Sequence, residues 1–195
     1  MMRARNRVWW MCVLALALGG CKSPPSRFYT LAAVATPVEG TSDVSIAVGP
    51  VSVPDVVDRP EFVLSRGTNQ IELDEFHRWA APLEDNVSLV VAENLVALLG
   101  AKKVTSFPSS VTTAVDFRVA IEVQRFETAR GGYVVFDAVW MVTRVKDGKS
   151  ETGRTTQRED GVADEHEALA GAHSRAVGVM SRDIAEGIQS FSRGD

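Results

Sequence analysis

Val115, Phe117, Val119, Ile121 and Val123 alternate with Asp116, Arg118, Ala120, Glu122 and Gln124. A period of two sustained over this length fits a strand with one face in an apolar core and the other in water. After Arg130-Gly131-Gly132 the chain from Tyr133 to Val145 is apolar on both faces. Val134, Phe136, Ala138, Trp140 and Val142 lie on one, Val135, Val139, Met141 and Val145 on the other. Such a run is either a central strand covered twice or a strand that keeps one face for a partner. Asp147-Gly148 is a pair that tolerates positive φ in a tight hairpin, and Glu151 to Glu159 reads as a polar edge strand. Two turns joining three such strands predict a consecutive antiparallel ribbon, so the core is built on a sheet.

Val44, Ile46 and Val48 alternate with Ser45, Ala47 and Gly49, and Val51 and Val53 continue beyond Pro50. The N–H that proline lacks implies an edge or a bulge there. Phe62-Val63-Leu64 and Gln70-Ile71-Glu72-Leu73 flank Arg66-Gly67-Thr68-Asn69 as a hairpin. From Pro82 to Leu99, the residues Leu83, Val87, Val90, Val91, Leu95, Leu98 and Leu99 keep to one helical stripe. Pro82 suits a first turn and Gly100 a left-handed close. A second helix opens at Asp164-Glu165-His166-Glu167 in the manner of a capping box, and Leu169, Ala172, Ala176, Met180, Ile184, Ile188 and Phe191 hold one face of it. Helices separated by runs of strands, rather than alternating with them, give the α+β class: an antiparallel sheet with two helices packed on one face.

The first twenty residues stand apart from that body. They carry Arg3, Arg5 and Arg7, an apolar run from Val8 to Leu18 and the small pair Gly19-Gly20, the three regions of an export signal. The run falls well short of the roughly 20 residues that cross the hydrocarbon of a bilayer. Leu18-Gly19-Gly20-Cys21 is similar to the bacterial lipobox, which implies lipid on the Cys21 thiol and cleavage just before it. The organisation is then a lipoprotein signal peptide over 1–20, a lipidated tether over 21–43 and a single α+β periplasmic domain over 44–195. The tether is rich in Pro, Ser, Ala, Thr and Gly. Phe28-Tyr29-Thr30-Leu31 interrupts it as a short strand able to pin it to the domain. Fully extended at roughly 3.3 Å per residue, Lys22 to Asp43 would reach up to about 70 Å, and less if Phe28 to Leu31 is pinned.

Loss of the three arginines leaves 18 basic against 25 acidic residues, without the basic excess that nucleic acid requires. Of the two cysteines, Cys12 leaves with the signal and Cys21 carries lipid, so no disulfide, thiolate metal site or cysteine nucleophile is expected. His166 and His173 fall roughly 10 Å apart along a helix axis, too far to share an ion whose ligands lie about 2 Å from it. They read as solvated, and no metal site is expected. His77 sits beside acidic residues in Asp74-Glu75-Phe76-His77, yet no G-x-S-x-G elbow accompanies it. Phosphate-binding glycine motifs are also missing from the sequence. The expectation is a chain that binds rather than converts, with no catalytic residue and no cofactor beyond the covalent lipid on Cys21.

At Val53-Pro54-Asp55-Val56-Val57-Asp58-Arg59-Pro60, at Phe62-Val63-Leu64-Ser65-Arg66 and at Arg78-Trp79-Ala80-Ala81-Pro82-Leu83, the sequence resembles the PqiC family of ABC-transport auxiliary lipoproteins. These accompany proteins with MCE (mammalian cell entry) domains, and the resemblance runs over nearly the whole mature chain. It implies a lipid-anchored, non-enzymatic accessory subunit of an MCE-type intermembrane lipid transport system, at the periplasmic face of the outer membrane. Lys22 follows the lipidated cysteine where, in many diderm bacteria, an aspartate would retain a lipoprotein in the inner membrane, so outward sorting is expected. The expected partners are an MCE-domain protein and, through the anchor, the membrane; a homo-oligomer stays open. Asp58, Arg59, Arg78 and Trp79 are candidate partner-binding residues, because an aromatic beside an arginine is what interfaces favour. The plainer alternative is a stiff turn with a local ion pair at Asp58-Arg59-Pro60, and a tryptophan wedged under the helix start with Arg78 solvated. Ala81 departs from the acidic residue that the family leads one to expect. Two rival functions stay open: a periplasmic lipid-binding carrier with a cavity between sheet and helices, and a periplasmic hydrolase.

Overall fold

The structure, a computed structural model, describes residues 24–106 and 114–193. The signal-peptide residues, Cys21 and Lys22 lie outside the described residues. Ten elements follow in chain order: β1 (Arg27–Tyr29), β2 (Ser42–Ser52), β3 (Glu61–Ser65), β4 (Ile71–Trp79), α1 (Leu83–Leu99), β5 (Ala101–Ser106), β6 (Phe117–Ala129), β7 (Tyr133–Arg144), β8 (Ser150–Asp160) and α2 (His166–Arg193). The eight strands form one curled sheet that turns about β6. β7 pairs along one edge of β6, while β2 takes the first half of the other edge and β3 meets its last residue. β5 lies beyond β2, β8 beyond β7, and β4 then β1 beyond β3.

The class is α+β as expected, and β6, β7 and β8 pair antiparallel. The sheet as a whole is mixed rather than antiparallel, because β2 runs parallel to both β5 and β6, and β1 parallel to β4. Parallel neighbours need a long crossover. The β3–β4 hairpin and α1 supply one between β2 and β5. β5 escapes a periodicity reading because Lys102-Lys103 interrupts its apolar residues.

Apolar residues of β6 and β7 point to the face that α1 and α2 cover side by side. Val119, Ile121, Phe136, Ala138 and Val142 are buried there. The expected helical stripes meet them: Leu83, Val87, Val90, Val91 and Leu95 of α1, and Leu169, Ala172, Met180, Ile184 and Ile188 of α2. On the other face of β7, Val135 and Asp137 are buried while Met141 is 41% exposed, so that face is closed at one end and open at the other. Trp140 donates its indole N–H to Thr155 Oγ1 at 3.2 Å. A Cβ at Gly153 would run into the Trp140 ring, which accounts for a glycine in mid-strand.

The stretch from Thr30 to Val38, which reads as part of a tether, is laid down across the helices. Asn94, fully buried in α1, accepts from the Val34 and Ala35 N–H groups, each at 3.0 Å, and donates to Ser181 Oγ of α2 at 3.2 Å. Asn86 accepts from Thr30 Oγ1 at 2.7 Å, Ser174 Oγ from the Ala32 N–H at 3.1 Å and the Ala97 carbonyl from the Val38 N–H at 2.9 Å. The 70 Å reach is therefore corrected: residues 27–42 belong to the folded body. At Gly100 a φ of 58° closes α1, and a Cβ would lie 2.6 Å from the Gly40 carbonyl oxygen, so both backbone shape and space require glycine.

The reading of His166 and His173 as solvated is overturned, since both are buried. His173 stacks on Phe126 with 3.7 Å between ring centroids and lies 2.9 Å from Thr128 Oγ1. Its enclosure pushes the imidazole down to about 3. Burial, then the neighbouring His77, moves His166 in the same direction. For both, the folded value lies below the unfolded one near 6.5, so the unfolded chain takes up protons first as pH falls. The stability conferred by a neutral His173 is complete above about pH 6.5 and is lost between there and about pH 3, at up to roughly 1.4 kcal/mol per pH unit. Urea midpoints should fall from pH 7 to pH 5, and the fall should be shallower in His173→Gln. A wild-type midpoint unchanged over that range would contradict a neutral buried His173.

Candidate functional site

The Asp-Arg-Pro and Arg-Trp segments, a score of residues apart in sequence, come together at the root of β1. After β2 the chain turns tightly, with the Val57 and Asp58 N–H groups donating to the Pro54 carbonyl at 2.9 and 3.1 Å. That turn presents Asp58 and Arg59 beside the end of β4. The Trp79 N–H then donates to the Pro60 carbonyl at 2.7 Å, and the Ala80 N–H to the Tyr29 carbonyl at 2.8 Å. Three separate pieces of backbone are thereby fixed around an open groove of about 510 Å³, whose walls include Phe28, Asp58, Arg59, Arg78, Trp79 and Ala81.

All four sequence-named candidates line this groove, but in different ways. Trp79 is buried and stacks on Phe62 at 4.4 Å between centroids, so it is the floor, anchored in the core. Arg78 lies along the wall, with Nη2 donating to Glu61 Oε1 at 3.0 Å. Asp58 is exposed and Arg59 half-buried. Among the described residues no ion pair joins the two. The Nε atoms of both Arg59 and Arg78 are buried without a hydrogen-bond partner. A buried donor left unmade costs about 1–3 kcal/mol. Phe28, 64% exposed, stands at the rim.

Phe28 carries no site role in the sequence reading. Strand alternation could have exposed it: β1 turns Tyr29 inward toward Phe62, with ring centroids 5.5 Å apart, and so turns Phe28 out. A second opening of about 390 Å³ lies on the sheet face opposite the helices, where Ala47, Ala120 and Met141 meet Arg118. Among the described residues no helix is long and apolar enough to cross a membrane.

The family model for the ABC-type transport auxiliary lipoprotein component matches residues 29–185. That span takes in every segment of the groove except Phe28. No curated protein matches the sequence significantly. Among solved structures, an uncharacterized protein superposes with a TM-score of 0.69 at 17% identity, covering 85% of this chain and 99% of that one. A Xanthomonas campestris protein of the family DUF330 superposes equally well, with a TM-score of 0.69 at 16% identity and coverages of 87% and 99%. At such identities the likeness establishes the fold.

Proposed function

The chain belongs to the family of ABC-type transport auxiliary lipoprotein components, and on that footing we propose that it is a lipid-anchored, non-enzymatic accessory subunit of an MCE-type intermembrane lipid transport system in a diderm bacterium. The observation that carries this reading beyond the family is the groove at the root of β1. It gathers the Asp-Arg-Pro and Arg-Trp segments, exposes Phe28 and sets the two arginines Arg59 and Arg78 in its walls. A protein segment offering carbonyl or carboxylate oxygens beside an apolar side chain fits it. No nucleotide-binding motif occurs in this chain, so the ATPase of such a system is another subunit.

The anchor sets where the groove works. Cys21 precedes Arg27 by six residues, which at roughly 3.3 Å each place β1 within about 20 Å of the lipidated end. With Thr30 onward bound to the helices, the subunit stays close to its own membrane, and the MCE assembly must extend to it. Lys22 after the anchor favours the outer membrane. Sucrose-gradient fractionation is expected to place the protein with outer-membrane markers and a Lys22→Asp variant with inner-membrane markers, in a host that uses that sorting rule. Native protein wholly in the inner-membrane fractions would overturn the placement.

Affinity capture of the lipoprotein from crosslinked membranes tests the class. The proposal expects an MCE-domain protein among the captured subunits. A capture without one, together with phospholipid retained by the purified protein in native mass spectrometry, would support the carrier instead.

A further inference from the structure

Tyr29 of β1, Asp74 and His77 of β4 and His166 at the first turn of α2 meet in one cluster. The His77 and His166 rings lie face to face with 3.6 Å between centroids, and Tyr29 Oη is 2.7 Å from His77 Nδ1. Asp74 Oδ2 is 3.1 Å from His166 Nε2. Nε2 is buried, with the ring only 6% exposed, and this close contact with Asp74 is not aligned as a geometric hydrogen bond. One ligand atom from each of Asp74, His77 and His166 lies within 4.8 Å of the others.

We propose that Asp74, His77 and His166 form a binding site for a divalent transition-metal ion, with Zn²⁺ the best match, and that Tyr29 holds His77 in place for it. Two imidazole nitrogens and a carboxylate are a common zinc donor set, with room for water in the fourth position. With Nδ1–H donating to Tyr29 Oη, Nε2 of His77 is left free of its proton as the ligand, the way such histidines are ordinarily oriented. Ligands about 2 Å from a tetrahedral ion stand roughly 3.3 Å apart. The cluster therefore has to contract by side-chain rotation, and one of the two parallel rings has to turn so that the ion lies in both ring planes. Arg130 is the opposing charge. Its Nη2 is 3.7 Å from Asp74 Oδ2, but its Nε is 3.3 Å from Asp164 Oδ1, which gives it a carboxylate to keep when the ion takes Asp74. The ion would clip β4 to α2 and, through Tyr29, to the strand that leads to the anchor.

The test uses the full chain purified in detergent, stripped with EDTA and titrated with ZnSO₄ by calorimetry, with Co²⁺ as a visible-absorption probe. One ion per chain, a raised thermal midpoint and Co²⁺ bands of low-coordinate type are expected. His77→Ala and Asp74→Asn, both at partly exposed positions, should keep the wild-type circular dichroism and lose that binding. Tyr29→Phe should weaken it by about 10- to 100-fold. Absence of binding by the wild type, or equal binding by folded His77→Ala and Asp74→Asn, would overturn the site.

Discussion

Leu95→Asp is expected to leave the domain unfolded at room temperature. Leu95 has no solvent exposure and lies on the face of α1 that packs against β2, β5 and α2. Truncating such a leucine to alanine costs about 2–5 kcal/mol through lost burial and the cavity left behind. The aspartate adds the cost of a carboxyl group with no hydrogen-bond partner in an apolar seam, several kcal/mol more. Against a total stability of about 5–15 kcal/mol, the sum reaches the whole. Circular dichroism should show no cooperative melt for Leu95→Asp and a lowered but cooperative one for Leu95→Ala. A Leu95→Asp protein melting like wild type would mean that the buried face of α1 is wrongly assigned.

The second large effect is on attachment. Cys21→Ala is expected to abolish incorporation of a fatty-acid analogue and to leave an unprocessed precursor, since the thioether requires the sulfur that alanine lacks. Each buried methylene contributes about 0.8 kcal/mol, and durable residence needs more than one acyl chain. Equal labelling of wild type and variant would remove Cys21 as the anchor, and with it the placement of the groove near the membrane.

Both variants act on features that stand plainly in the sequence: a stripe at helical spacing and a cysteine after a short apolar run. The β6 alternation and the α2 face were equally legible, because each residue's partner is supplied by the same period that reveals it. Features set by distant pieces of chain were not. β5 owes its place to β2, and its own Lys102-Lys103 conceals it. Asn86 and Asn94 sit eight apart beside the apolar stripe of α1, a polar row that could have announced a bound segment, but the segment that they hold lies some sixty residues away. The sequence sets His166 beside His173 on one helix, whereas the fold pairs it with His77 on a strand. Trp79 and Arg78 were legible as a pair; that Trp79 is core and Arg78 is wall follows from the Phe62 stack and the Glu61 contact, both from β3.

The central claim is that the groove at the root of β1 receives the MCE-type partner. Replacing Phe28 with a photoreactive phenylalanine analogue in cells tests it most directly, with the same analogue at Leu89, exposed on α1 outside the groove lining, as the comparison. The account predicts a covalent adduct with an MCE-domain protein from position 28 and none from position 89. An adduct from position 89 with none from position 28 would contradict it.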